Sequence, residues 1–204
     1  MTTTVFLVRH GQTRSNTTGF YMGWSDEDLD DSGYAQARRL SARLANQPIV
    51  AVYTSPLRRT CTTAAILAEP HKLDLEVIED LIEIRLGDWQ GLYRDEIRQR
   101  WPDLWQQVIT DPSDAALPNG ESFQQVTERA ARAFEAITSA HQNQQVAIVT
   151  HEVVVKVLVA HAALATTNSI YRRFEISNAS LSIIRIIDGK TRLVTLNDTS
   201  HLGT

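Results

Sequence analysis

Leu7-Val8-Arg9-His10-Gly11-Gln12-Thr13 is the segment around which the rest of the chain is organised. Val5 to Val8 is a short apolar run, β-branched at both ends, and reads as a buried strand. At its C-terminal end the chain switches to a cation, a histidine and a glycine. In open α/β sheets, ligands bind outside strand ends of this kind. Arg9 can fork onto phosphate oxygens, and Gly11 lets backbone approach a ligand closely. His10, fixed between them, suits a base, a metal ligand or a nucleophile. A lone triplet of this kind is equally compatible with a structural histidine.

The rest of the chain is expected to build a sheet around that strand. Asp30-Asp31-Ser32 supplies cap chemistry for a helix to about Asn46, with Tyr34, Ala37, Leu40 and Leu44 as its apolar stripe. Pro48 breaks it, and Ile49 to Tyr53 reads as a second buried strand. Ser55 is placed to cap a helix with Pro56 at its first position, running to about Glu69. Leu75 to Ile78 is a short third strand. Short helices near 93–100 and 103–109 are expected as an insert over one end of the sheet. Ser122 and Gln125 form a capping box for a helix to about His141. Val146 to Thr150 is another buried strand, followed by a helix from about Val153 to Ala165. Ser180 to Ile187 and Arg192 to Leu196 read as an antiparallel pair turning at Asp188-Gly189. Gly11 to Asp28 is expected as a loop. Strands alternating with helices predict a three-layer α/β/α sandwich. Its central sheet is mostly parallel, with an antiparallel edge near the C-terminus and a helical insert over the site.

Composition narrows the function. The 204 residues fit one domain of generous size, taken as 1–204. A net charge of -4 offers no basic field for nucleic acid, and no apolar run is long enough to span a bilayer. The single cysteine, Cys61, excludes an intrachain disulfide and reads as a buried structural thiol. With no signal-peptide pattern, a soluble cytoplasmic protein is expected.

A second strand end matches the first. Val149-Thr150-His151 again closes an apolar run on a histidine, and Tyr53-Thr54-Ser55 leads into a helix with Arg58 and Arg59 in its first turn. A helix N-terminus carrying an arginine is an anion site by geometry and dipole. Two arginines, two histidines and free helix-end amides on one sheet edge point to a tetrahedral oxyanion.

The quoted stretch, with Asn16 after it, resembles the signature of the histidine phosphatase superfamily, which includes the cofactor-dependent phosphoglycerate mutases. Gly23, Asp26, Leu29, Gly33, Gln36 and Ala37 extend the match. So do Ser55 to Arg59 with Thr63-Ala64, Leu81-Ile82-Glu83 with Gly87 to Gly91, Gly120-Glu121-Ser122 with Arg129, and Val149 to His151. The resemblance implies that His10 carries a phosphohistidine intermediate. It implies that Arg9, Arg59, His151, the Glu152 amide and Asn16 hold phosphoryl oxygens, and that Glu83 protonates the leaving alkoxide and then activates water. No metal and no cofactor are implied.

The sequence departs from the family pattern at Glu152, where glycine is frequent, and at Met22, where glutamine is frequent. A carboxylate beside a phosphate is unfavourable unless it points away. Met22 and Gly23 are counted with the pocket. Arg58 reads as solvated, and Glu121 either as part of the site or as an early helix acid favouring the dipole. His71, His141 and His161 read as incidental. Trp89, Trp101 and Trp105 read as packing, with Trp24 at the pocket rim. A zinc-protease reading of His151-Glu152 fails because position 155 is Val155.

These readings imply metal-independent hydrolysis of a small-molecule phosphomonoester, with no nucleic-acid or membrane partner and a homodimer as the expected assembly. A 2,3-bisphosphoglycerate-dependent phosphoglycerate mutase is the alternative, disfavoured because the region from Trp89 to Gly120 lacks a basic insert. A non-catalytic phospholigand-binding module is disfavoured by the intact set of catalytic positions. α-Ribazole phosphate and sugar phosphates are further candidate substrates. The tail from Leu196 to Gly203 resembles that of the phosphoserine and α-ribazole phosphatases and favours phosphoserine. On that reading His201 pairs with the substrate carboxylate.

Overall fold

The computed structural model describes residues 1–164 and 167–203. The first strand, β1 (Thr2–Arg9), shows why the chain forms three layers. Val5 and Leu7 fall in one apolar cluster and Phe6 and Val8 in another, and all four are buried. Successive strand side chains point to opposite faces, so a strand apolar at every position must be covered on both. Truncating a buried leucine such as Leu7 to alanine costs about 2–5 kcal/mol.

One face is covered by α2 (Asp31–Leu44) and α3 (Arg58–Ala68), through Leu40, Leu44, Ala64 and Leu67. The other carries α6 (Phe123–Ala140) and α7 (Glu152–Ala162). The remaining elements are α1 (Arg14–Thr18), β2 (Ile49–Thr54), β3 (Leu75–Val77), α4 (Arg94–Arg100), α5 (Pro102–Thr110), β4 (Gln145–Thr150), α8 (Thr167–Arg173), β5 (Leu181–Ile187) and β6 (Lys190–Asp198). The sheet order is β3-β2-β4-β1-β5-β6. The first four strands run parallel, while β5 and β6 add antiparallel to β1. The expected α/β/α sandwich with an antiparallel edge is therefore the observed fold.

Several details differ from expectation. β1 begins at Thr2 because the leading threonines pair with β5, Thr2 opposite Ile187 and Thr4 opposite Arg185. The loop expected over Gly11 to Asp28 contains α1, a single turn and a half capped by Thr13 with Asn16 and ended by Gly19 at φ +70°. A segment that short carries no periodicity to read. α3 starts at Arg58, with Leu57 rather than Ser55 at its cap, since the Ser55 hydroxyl is engaged elsewhere. α8 had no sequence signal. α7 ends at Ala162, and its expected end at Ala165 lies outside the described residues.

In the insert, Trp89 is fully buried against Trp101 and Trp105, with ring centroids 6.4 and 6.0 Å away. This stack fastens the insert to the sheet end. Among the described residues no helix is long and apolar enough to cross a membrane.

Candidate active site

Parallel pairing brings the two histidines together. Arg9 stands opposite Thr150 in the β1–β4 register, and His10 N–H donates to the Thr150 carbonyl at 2.9 Å. His10 and His151 therefore leave neighbouring strands side by side, their rings edge to face at 5.3 Å. β2 adds Ser55 to the same edge, its N–H donating to the Val149 carbonyl at 3.3 Å.

His10 is buried, and its Nδ1 lies 2.7 Å from the Gly11 carbonyl. A carbonyl only accepts, so Nδ1 carries the proton and Nε2 keeps its lone pair. Burial, then the Arg59 and Arg9 charges, hold His10 well below the usual histidine range, so the ring is neutral. A neutral imidazole nitrogen flanked by two guanidinium groups is the setting of a nucleophile for an anionic electrophile. Gly11 itself serves packing. A Cβ there would lie 2.6 Å from the Gly33 carbonyl oxygen of α2, so the backbone it admits is α2 rather than a ligand.

His151 is fully buried behind His10. Its Nε2 lies 2.7 Å from the Ser55 hydroxyl, which in turn lies 2.8 Å from Thr60 Oγ1. Burial and then Arg59 keep it well below the usual range. Its Nδ1, with Arg9 Nε and Arg59 Nε, is buried without a hydrogen-bond partner among the described residues. Buried polar atoms are nearly always paired, and three orphans at one anion-friendly edge fit a bound oxyanion.

Arg59 comes from the first turn of α3 and is buried, which pulls its guanidinium down to about 10. Its Nη atoms donate to the carbonyls of Ser25 at 2.9 Å and Gly23 at 2.7 Å, with Met22 Sδ at 3.8 Å. Met22 and Gly23 line the cavity and also hold this guanidinium in place. Arg9 donates to the Ile176 carbonyl and pairs with Glu152 at 3.1 Å. Glu152 does not point away from the site. It lines the cavity and also meets Lys156 at 2.8 Å.

Asn16 is exposed on α1 and lines the cavity. Its Oδ1 accepts from Thr13 N–H at 3.0 Å and from Asn178 Nδ2 at 3.0 Å, which leaves its amide NH₂ for a ligand. Asn178 also donates to the His10 carbonyl at 3.2 Å. No local sequence signal marks Asn178, because it reaches the site only through the β5–β1 pairing.

Glu83 stands in the same cavity, of about 280 Å³, with Arg9, His10 and Arg59. Burial raises its carboxyl above the usual range and Glu152 adds to the rise, against the Ile84 N–H, Arg59 and Arg9. Its backbone is pinned from two sides. Trp24 Nε1 donates to the Glu83 carbonyl at 2.6 Å, and Arg129 Nη2 at 3.0 Å. Arg129 is held in turn by Glu121, at 2.9 and 3.0 Å. Glu121 is thus a support for the acid loop rather than a mere dipole acid.

The outer wall is built by Phe20, Tyr21, Leu86, Arg94, Val153 and Tyr171. The sequence marks none of these as a pocket residue. His201 does not reach this cavity. Its Nε2 is 3.0 Å from the Ala179 carbonyl, and the tail is tied to α2 by Arg43–Asp198 and by Arg39 donating to the Leu202 carbonyl. The expectation that His201 contacts substrate is corrected: the last turn docks behind the site.

The fold, with a neutral buried imidazole, two guanidinium groups and a buried carboxyl in one cavity, is matched by known proteins. Residues 5–199 match the family model of the histidine phosphatase superfamily, branch 1, and the chain belongs to that superfamily. It is a phosphoric monoester hydrolase. It is 32% identical over 199 residues to phosphoserine phosphatase 1 of Hydrogenobacter thermophilus, covering 98% of this chain and 94% of that one. It is 29% identical to the adenosylcobalamin/α-ribazole phosphatase of Salmonella typhimurium, over 95% of each chain. The structure of Bacillus stearothermophilus YhfR superposes with a TM-score of 0.93 at 34% identity, over 98% of this chain and 99% of that one.

Proposed function

We propose that the protein hydrolyses a small phosphomonoester through a phosphohistidine at His10, with phosphoserine as the favoured substrate. The observation that carries this reading is the His10 tautomer. Nδ1–H is spent on the Gly11 carbonyl, and the free Nε2 sits in a cavity with Arg9, Arg59 and Glu83.

In the first step His10 Nε2 attacks phosphorus and the P–O ester bond breaks. The departing oxygen takes the bond's electron pair and the proton held by Glu83. In the second step the Glu83 carboxylate takes a proton from water, the water oxygen attacks phosphorus, and the P–N bond breaks to release orthophosphate. Arg9, Arg59, the Asn16 amide and His151 Nδ1–H hold the three equatorial oxygens, where charge redistributes in the transition state. Nucleophile and cation cage are side chains, so turnover needs no metal.

Phosphoserine is favoured by the similarity to phosphoserine phosphatase 1 across nearly the whole chain. The aromatic wall of Phe20, Tyr21 and Tyr171 supports α-ribazole phosphate as the second reading, since an aromatic base packs on such rings. Among the described residues Arg94 is the one cation that the insert adds to the cavity, fewer than a bisphosphorylated primer needs, which weighs against the mutase reading.

Acid quench during turnover of radiolabelled substrate tests the reading. It should trap an acid-labile, alkali-stable phosphoprotein with the natural chain and none with His10→Ala, and EDTA should leave the rate unchanged. Turnover surviving in His10→Ala, or loss in EDTA restored by Mg²⁺, would overturn it.

A further inference from the structure

The cavity carries two charged groups that phosphoryl transfer does not use. Glu152 opens α7, and its side chain is 36% exposed. Its Oε1 accepts from Lys156 Nζ at 2.8 Å, and its Oε2 lies 3.1 Å from Arg9 Nη1. A carboxylate offers about four acceptor positions, so these contacts leave half of them open. Lys156 does not compete for the cavity. It is sealed behind Glu152 at 6% exposure, with Nζ 4.2 Å above the Tyr171 ring. Arg94 stands on the insert side of the same cavity, exposed, and lines it together with Tyr21.

Arg9 and Lys156 offset the Glu152 charge in part, and its open acceptor positions favour a substrate that brings a cation of its own. Such a carboxylate is a selecting device, because it also penalises leaving groups that add a negative charge there. We propose that Glu152 is a specificity-determining residue that selects phosphomonoesters whose leaving group carries an ammonium, while Arg94 takes a carboxylate on the same leaving group. The inference rests on the phosphoryl-transfer reading above and assigns its leaving-group site to an α-amino acid. A carboxylate held by two cations and an exposed guanidinium, both lining the cavity, match the two charges of that group. The outer aromatic residues cover its short carbon chain.

The test uses O-phosphoserine and 3-phosphoglycerate, which differ in carrying an ammonium or a hydroxyl at the same carbon. The natural chain should prefer phosphoserine in kcat/KM by roughly ten- to hundredfold, the worth of one charge-assisted hydrogen bond. Glu152→Gln should bring that ratio to within a few-fold of unity, chiefly by raising KM for phosphoserine. N-acetyl-O-phosphoserine, assayed on the unaltered protein, removes the cation without any question of variant folding and should fall to the level of 3-phosphoglycerate. Equal losses on both substrates in Glu152→Gln would overturn the proposal and make Glu152 a support for Arg9. So would the absence of any preference in the natural chain, or full activity on the acetylated ester. His10-dependent turnover of p-nitrophenyl phosphate separates the two levels. If it persists while the ratio fails, only the leaving-group assignment falls; if it is absent, the phosphatase reading falls too.

Discussion

The Ser55 hydroxyl lies 2.7 Å from Nε2 of His151, between β2 and β4, with both residues fully buried. Thr60 Oγ1 lies within hydrogen-bonding distance of the Leu57 carbonyl, at 2.6 Å, and of the Ser55 hydroxyl, at 2.8 Å. With the Thr60 proton on the Ser55 oxygen, the Ser55 proton goes to His151 Nε2. His151 then carries its own proton on Nδ1, the atom that would meet a phosphoryl oxygen. Ser55→Ala removes that control and leaves a buried ring nitrogen unpaired, at about 1–3 kcal/mol. Turnover should fall by about ten- to hundredfold with the phosphoenzyme still formed. Ser55→Thr, which keeps the hydroxyl, should recover part of the rate. Rapid-quench measurement of the phosphorylation step checks both.

The pH profile should be set by His10 on the acid side and Glu83 on the alkaline side. His10 must be unprotonated to attack, and its lowered pKa keeps it so below the usual histidine range, so the rate should hold into mild acid. Glu83 must be protonated to assist departure, and its raised pKa keeps it so above the usual carboxylate range. The phosphorylation rate for alkyl phosphates should therefore fall as pH rises through the Glu83 value. Glu83→Gln should remove that limb and cost ~10²–10⁴ in rate on alkyl esters, with a smaller loss on p-nitrophenyl phosphate, whose leaving group needs no proton. Glu152→Gln withdraws a charge that raises Glu83 and should move the limb to lower pH. Single-turnover rates across pH on both ester types decide this.

Arg129 and Glu121 should behave as one unit. Arg129 is largely buried, with its guanidinium on the carbonyls of Ile82 and Glu83 as well as on Glu121. Arg129→Ala strands a mostly buried carboxylate and should destabilise the fold by about 3–5 kcal/mol. Glu121→Gln should cost less, and the double variant should cost well under the sum. Denaturant unfolding of the four proteins measures the coupling. Additive losses would mean that the two residues do not act as one unit.

His201→Ala should be nearly silent towards substrate. Its imidazole bonds the Ala179 carbonyl, so KM for phosphoserine and for p-nitrophenyl phosphate should move together and by less than about threefold, the loss of one half-exposed hydrogen bond. A selective rise for phosphoserine alone would return the tail to the site.

What lies at the strand ends is legible along the chain. Apolar runs at Val5 to Val8 and Val146 to Thr150 had to be covered on both faces, and their abrupt change to Arg9-His10 and His151 placed polar chemistry at one sheet edge. Motif spacing carried the resemblance that singled out Arg59 and Glu83, because local capping and strand periodicity are nearest-neighbour properties. The roles of Ser55, Asn178, Arg129 and Glu152 come from long-range packing. Each acts on a residue far away in the chain: Ser55 on His151, Asn178 on His10 and Asn16, Arg129 on Glu83, and Glu152 on Arg9. The direction of a carboxylate such as Glu152, or of an imidazole such as His201, is fixed by which partner the folded chain brings within hydrogen-bond reach. That distance is a property of the packed sheet, and no spacing along the chain encodes it.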